Sequence, residues 1–102
     1  MATYTKEELY SITRRLYRLF KNHPEMFCLK KLRGHKGWYD HTKIVIELDY
    51  RTDILPTILH EAFHHWYPDW SETKVETAER NIINQCSIKQ VKNIIKKFAD
   101  VL

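Results

Sequence analysis

The sequence predicts a single α+β domain in which a small antiparallel sheet is preceded by one helix and followed by three. The chain has 102 residues and no internal repeat or low-complexity stretch, which fits one domain rather than two. Apolar residues recur at helical spacing near both ends, whereas residues 27–49 are rich in aromatic and β-branched types that favour strands. With 43% apolar and 29% charged residues, the composition is that of an ordered soluble domain.

The first helix is predicted from a capping-box pair, Thr5 and Glu8, and from an apolar stripe that continues until Pro24. The stripe comprises Leu9, Ile12, Leu16, Leu19 and Phe20. Two or three antiparallel strands are expected next, with Gly34 and Gly37 marking a turn between them. In the last of these strands one face is expected to be buried, because apolar residues recur at every second position. They are Ile44, Ile46 and Leu48.

Three more helices are predicted in the second half of the chain. Pro56 suits the first turn of a helix over TILHEAFHHW, and Pro68 ends it. Asp69 or Ser71 can cap the next helix, SETKVETAERNIINQ. Its inward stripe comprises Val75, Ala78, Ile82 and Ile83. A last helix, from about residue 88 to 101, carries lysines on one side and an apolar stripe on the other, made of Ile88, Val91, Ile94, Ile95 and Phe98.

Charge, cysteine spacing and hydropathy make a nucleic-acid binder, a disulfide-rich protein and a membrane protein less favoured. The net charge of +4 comes from basic segments at 12–18, 30–36 and 89–97, but no nucleic-acid recognition motif accompanies them. Solvated helix faces and a turn are therefore favoured over a nucleic-acid surface. Cys28 and Cys86 have no zinc-knuckle or disulfide spacing, so buried thiols are expected. No run of about 20 apolar residues and no signal peptide is present, which predicts a cytoplasmic protein without a membrane span.

The strongest functional signal is HEAFH at residues 60–64. In a helix, His60 and His64 project from one face and can share a metal ion, while the neighbouring Glu61 is left free. Hydrolytic zinc sites use this arrangement, since Zn²⁺ lowers the pKa of a water molecule and the glutamate accepts its proton. The alternative is a chance match in a chain with six histidines. The position of the motif in a predicted helix, between a strand and a glutamate-rich helix, favours a metal site.

A zinc site needs a third protein ligand and keeps one position open. Glu72, Glu76 and Glu79 lie along one face of the following helix. If residues 67–70 form a tight turn between antiparallel helices, a rise of about 1.5 Å per residue places Glu76 level with the gap between the histidines. Glu76 is therefore predicted as the third ligand. Glu79 is the reserve, or the partner of a ligand histidine, and Glu72 is assigned a capping or helix-dipole role.

The residues around the motif carry further expectations. His65 is predicted to be packed or hydrogen-bonded rather than a fourth ligand, and Trp66, Tyr67 and Trp70 are predicted to pack around the turn. The strand KIVIELD is expected to offer a free edge to an extended peptide if it lies beside the helix. The group that stabilises an oxyanion is left open among His35, Tyr39, Tyr67 and Arg80.

The stretch LHEAFHHWYPDWSETKVETAER, residues 59–80, resembles the active-site stretch of the minigluzincins, small archaeal and bacterial zinc metallopeptidases of the gluzincin tribe. The rest of the chain is compatible with that family in layout. The resemblance implies a zincin-like fold with an active-site helix behind a small sheet. It also implies Zn²⁺ as cofactor, His60 and His64 as ligands, Glu61 as general base and acid, and a glutamate of the next helix as third ligand.

Minigluzincins are described as latent zymogens whose C-terminal segment blocks the cleft, within one molecule or by exchange between two. Residues 87–102 here predict an amphipathic helix, which is either docked or swapped in that way, with a homodimer in the second case, or simply completes the core. The leading hypothesis is a zinc-dependent endopeptidase that acts on peptide or protein substrates and is latent as isolated. The alternatives are a catalytically silent zinc-binding interaction module and, less favoured, a basic nucleic-acid binder.

Overall fold

The computed structural model describes residues 4–30, 32–34, 36–49 and 53–101. The helices are α1 (Lys6–Asn22), α2 (Ile54–Trp66), α3 (Glu72–Gln85) and α4 (Ile88–Ala99). The strands are β1 (Phe27–Lys30), β2 (Gly37–Asp40) and β3 (Val45–Asp49), and a 3₁₀ helix, Pro24–Met26, joins α1 to β1. The α+β class and the order of helix, sheet and three helices are confirmed. Within the described ranges, none of the helices has the length and apolar character that a membrane span requires.

The sheet is mixed, so the prediction of a purely antiparallel sheet is wrong. Strand β3 lies in the middle, parallel to β1 on one side and antiparallel to β2 on the other. Consecutive strands still alternate in direction, but β3 inserts between the first two and therefore pairs with both. Alternating apolar residues could not reveal this, because parallel and antiparallel pairs share the same two-residue period. The edge strand beside α2 is β2, so KIVIELD does not offer the free edge that was expected of it.

The alternation along β3 is confirmed in part. Ile46 and Leu48 are fully buried, whereas Ile44 precedes the strand, is half-exposed and has a φ of 54°. Gly34 lies in a bend and has a φ of 78°, which suits a residue without a Cβ. Gly37, in contrast, is the first residue of β2 rather than part of the turn.

The helix starts follow from local sequence as predicted. Thr5 and Glu8 form a reciprocal capping box at α1, and Ser71 caps α3 by accepting a hydrogen bond from the backbone N–H of Lys74. Helix α4 begins with a second capping box, in which Ser87 pairs with Gln90. Each cap satisfies backbone N–H groups that have no partner within the helix.

Helix α4 is anchored by an aromatic triad of Phe20, Phe27 and Phe98. The three ring centroids lie 5.2 to 5.4 Å from one another, and the triad joins α1, β1 and α4 in the core. Only part of the apolar stripe predicted for α4 faces inward, because Ile88 and Ile95 are exposed. In this structure α4 packs mainly against α1. That residues 87–102 block the cleft, or are exchanged between two copies, stays a prediction.

Replacing Phe98 with Ala should lower the free energy of unfolding by about 3–5 kcal/mol, because a large ring that is 4% exposed would leave a cavity in the triad. Ile88→Ala, at a side chain that is 77% exposed on the same helix, should change it by less than about 0.5 kcal/mol. Urea unfolding of both variants measures the difference. Equal stabilities would mean that α4 does not contribute to the core.

Candidate metal centre

A cleft of about 890 Å³ opens between the edge strand β2 and the helices α2 and α3. Strand β2 forms one wall, α2 supplies the HEAFH residues, and α3 supplies a row of acidic residues. The polar residues of the two helices that line it include His60, Glu61, His64, Glu72, Glu76 and Glu79. Every residue predicted as a ligand or as the general base therefore faces this one cleft.

The two histidines of the motif and Glu72 bring their ligand atoms together. His60 Nε2 lies 3.2 Å from His64 Nε2, His64 Nε2 lies 3.0 Å from a carboxylate oxygen of Glu72, and the other Glu72 oxygen contacts His60 Nε2. All three ligand atoms lie within 4.8 Å of one another. Two nitrogens bound at about 2.0–2.1 Å to a tetrahedral zinc ion are themselves about 3.3 Å apart. The spacing of these donors thus fits a small tetrahedral ion.

Glu76, the residue predicted as third ligand, lines the cleft but does not belong to this group. Positions along the two helix axes place Glu76 level with the histidines, but they leave out the length of a glutamate side chain. Glu72 stands at the first position of α3, and its side chain is 60% exposed and free to bend toward both histidines. Because Ser71 already caps the helix, Glu72 is not needed there. That serine was visible in the sequence and could have directed attention to Glu72.

Glu79 lies behind His60, as the sequence suggested for a partner of a ligand histidine. Its carboxylate is 2.8 Å from His60 Nδ1. This hydrogen bond raises the pKa of His60 to about 9, and the neighbouring carboxylates add to the effect while burial opposes it. Because a carboxylate only accepts hydrogen bonds, Glu79 holds a proton on Nδ1, so loss of the other ring proton leaves the lone pair on Nε2, the nitrogen nearest His64 and Glu72. Glu79 thereby selects the tautomer of His60 that can bind a metal.

Glu61 is buried beside this group without belonging to it. Its side chain is 8% exposed, and one carboxylate oxygen lies 4.0 Å from His60 Nε2. Burial raises the pKa of Glu61 to about 7; the charge of His60 and a hydrogen bond from the backbone N–H of Tyr39 act in the opposite direction. A carboxyl with a pKa near neutrality can both accept and return a proton at physiological pH.

His65 is hydrogen-bonded, as predicted, and is turned away from the ligand group. Its Nδ1 lies 2.8 Å from the hydroxyl of Tyr39 on β2. Burial lowers the pKa of His65, so the neutral form that can share this hydrogen bond is favoured. The pair links the edge strand to α2 beside the cleft.

The turn between α2 and α3 is held by stacked rings with a cation at each end. Tyr67 and Trp70 stack with centroids 4.3 Å apart, and Phe63 stacks on Trp70 at 5.6 Å. Arg15 donates a hydrogen bond of 2.6 Å to the Tyr67 hydroxyl and lies 5.2 Å from the centre of its ring, while Lys74 lies over Trp70 at 4.5 Å. The predicted packing around the turn is confirmed. We name these five residues the turn stack.

The four candidates for an oxyanion stabiliser differ in placement. Tyr39 and Arg80 line the cleft. The Tyr67 hydroxyl is engaged by Arg15 in the turn stack. His35 lies outside the described residues. Tyr39 and Arg80 are therefore the two candidates that the structure brings to the cleft.

The stability of the metal-free protein should fall as the pH rises from about 4.5 to 9. His60 has a folded pKa of about 9 against an ordinary value of 6.5, so the stabilisation it contributes is complete below pH 6.5 and lost as the pH rises through about 9. The pKa of Glu61 is also raised, so its contribution to stability is likewise lost as the pH rises from 4.5 through about 7. His65 acts in the opposite direction: because its pKa is lowered, its contribution makes the protein more stable as the pH rises toward 6.5. Bound zinc should reverse the trend by competing with the protons on the histidines.

Melting temperatures measured across this pH range, with a chelator and with excess zinc, test this prediction. The chelated protein should melt at lower temperature as the pH rises, and the stabilisation by zinc should grow. A zinc effect that is the same at all pH values would contradict a site built on His60.

Comparisons of the chain with protein-family models, with curated proteins and with solved structures found no significant match. The resemblance to the minigluzincins therefore continues to rest on the motif residues themselves.

Proposed function

We propose that this protein is a zinc-dependent metallopeptidase in which His60, His64 and Glu72 hold the ion and Glu61 is the general base and acid. The observation that carries the proposal is the convergence of two imidazole nitrogens and a carboxylate oxygen within 4.8 Å, with a buried glutamate at their side. Imidazole and carboxylate donors suit zinc, and three protein ligands leave a fourth position open, as catalytic sites require.

A bound zinc ion would supply Lewis acidity toward water and toward a peptide carbonyl. Residues of the chain would transfer the protons and orient the ligands. Glu61 accepts a proton from water and returns it to the departing amine, for which a pKa of about 7 is suited. Glu79 keeps His60 in the tautomer that binds a metal, because it occupies Nδ1.

An extended peptide can reach this site along β2. Strand β2 pairs with β3 on one side only among the described strands, and three of its residues line the cleft. Backbone hydrogen bonds to such an edge would align a peptide as an added strand beside Glu61. The part of the cleft that the structure describes is lined by residues 34–83, so no residue of α4 lies across it. That residues 87–102 keep the isolated protein latent stays a prediction.

The test is to load the full chain with zinc and to incubate it with a mixture of unstructured peptides, identifying new termini by mass spectrometry. Cleavage that disappears when the metal is chelated and returns with added zinc supports the proposal. Failure to bind zinc at micromolar concentrations would refute it. Tight zinc binding without cleavage would favour the silent zinc-binding module, in which the same residues stabilise the fold.

A further inference from the structure

Strand β2 crosses α2 most closely at Gly37. A Cβ atom at this residue would lie 2.5 Å from Cγ2 of Thr57 and 3.1 Å from Cγ of Glu61. The first distance is shorter than any real contact of a Cβ, and the second is tighter than nine in ten of them. Gly37 does not need glycine for a positive φ, since Gly34 is the glycine with that conformation. Glycine is needed at this position because there is no space for a Cβ between the strand and the helix.

Thr57 cannot easily give way to a larger residue. It is buried, and its hydroxyl donates a hydrogen bond of 2.8 Å to the backbone carbonyl of Asp53. A different rotamer would break that hydrogen bond, and β-branched side chains in helices have few rotamers. An alanine at Gly37 would therefore force the strand away from the helix. The distance from its Cβ to Cγ2 of Thr57 would have to grow from 2.5 Å toward 3.4 Å, where ordinary van der Waals contacts begin.

The strand carries a hydrogen-bond donor for the general base two residues later. The backbone N–H of Tyr39 lies near enough to the carboxylate of Glu61 to lower its pKa, and the Tyr39 hydroxyl shares a hydrogen bond of 2.8 Å with Nδ1 of His65. Among the described strands β2 lies at an edge of the sheet, so an amide of β2 that points away from β3 has no strand partner there. Any separation of strand and helix at Gly37 would lengthen these contacts first.

We propose that Gly37 is a positioning residue, which lets β2 approach α2 closely enough for the Tyr39 N–H to hold Glu61 beside the ligand group. The catalytic consequence rests on the proposed function, whereas the contact itself does not. Glu61, enclosed between helix and strand, is 6% exposed. A general base must keep its position to a fraction of an ångström, so this approach sets how well Glu61 is aligned.

Amide hydrogen exchange at Tyr39 tests the contact without any turnover. We expect the Tyr39 amide of the wild type to exchange about tenfold more slowly than in Glu61→Ala, because a hydrogen bond to a buried carboxylate is lost in that variant. Gly37→Ala should exchange as fast as Glu61→Ala. The Ile46 amide in the central strand should stay protected in both variants, which controls for unfolding. Equal exchange at Tyr39 in wild type and Glu61→Ala would overturn the proposal.

Thr57→Ser provides the matched rescue, since it removes Cγ2 and keeps the hydroxyl. Alone it should leave Tyr39 exchange unchanged, and combined with Gly37→Ala it should restore most of the protection. A double variant as unprotected as Gly37→Ala would contradict the proposed role of this contact. If Gly37→Ala does not fold, the double variant and Glu61→Ala still decide the question.

Kinetics separate this proposal from the proposed function. With zinc bound, Gly37→Ala should lower kcat/KM about tenfold or more while zinc affinity stays unchanged, and adding Thr57→Ser should restore most of the loss. An active wild type and an equally active Gly37→Ala would refute the positioning role alone. A zinc-loaded wild type that cleaves nothing would refute the peptidase while the exchange result stands.

Discussion

Replacing Glu61 with Gln should lower kcat for peptide hydrolysis by about 10²- to 10⁴-fold, the range that general acid–base catalysis contributes. Glutamine has nearly the same size and can still accept a hydrogen bond from the Tyr39 N–H, but it cannot take up a proton. Zinc content should not change, because Glu61 lies beside the ligand group and is not part of it. The melting temperature should not fall, since the variant removes a carboxylate whose pKa is raised by burial.

Glu76→Gln is the matched control, because it removes the same charge from an exposed residue of the same cleft. It should keep kcat within a few-fold of wild type. Hydrolysis by Glu61→Gln within tenfold of the wild-type rate would contradict the role assigned to Glu61. A loss of zinc together with activity would instead show that Glu61 contributes to metal binding.

Replacing each of the three glutamates of α3 with Gln should weaken zinc binding by different amounts, most at Glu72 and least at Glu76. Glu72→Gln should weaken binding by about 100-fold or more, because it would remove a charged ligand of the proposed site, and the loss of a residue behind a ligand already costs about 10- to 100-fold. Glu79→Gln should fall in that lower range, since its carboxylate is 2.8 Å from His60 Nδ1. Glu76→Gln should bind zinc as the wild type does.

Competition titrations with a chromogenic chelator at one pH measure all three affinities. The order matters more than the absolute values, because zinc competes with protons in each variant. If Glu76→Gln loses the most affinity, the ligand predicted from helix heights is right and the contact of Glu72 with the histidines is not a metal site. Equal affinities in all three variants would mean that α3 supplies no ligand.

Most helices and the core of the site were predictable because they depend on local sequence. Caps such as Thr5 with Glu8 act within one turn, and a spacing of four residues brings His60 and His64 together in any helix. The contact of Glu79 with His60 was one of the two places foreseen for this glutamate, since it needed only that α3 run alongside α2. These features are encoded within a few residues of where they appear.

The features that the sequence could not predict depend on how elements cross. The parallel pairing of β1 with β3 is a choice of neighbour that no residue of either strand specifies alone. The contact of Glu72 with both histidines depends on the geometry of the turn and on the bend of one side chain. The space at Gly37 exists only after β2 lies on Thr57 and Glu61. In the sequence that glycine looked like part of a turn.

The turn stack would affect how fast and how tightly an ion binds at the candidate metal centre. Rings of Phe63, Tyr67 and Trp70, with a cation at either end, hold the backbone between α2 and α3 through contacts that involve none of the candidate ligands. The conformational entropy of ordering this segment is therefore lost when the chain folds and does not weaken the affinity for an ion. Capture would involve only side-chain adjustments, as in a preassembled chelator, rather than the closing of a loop.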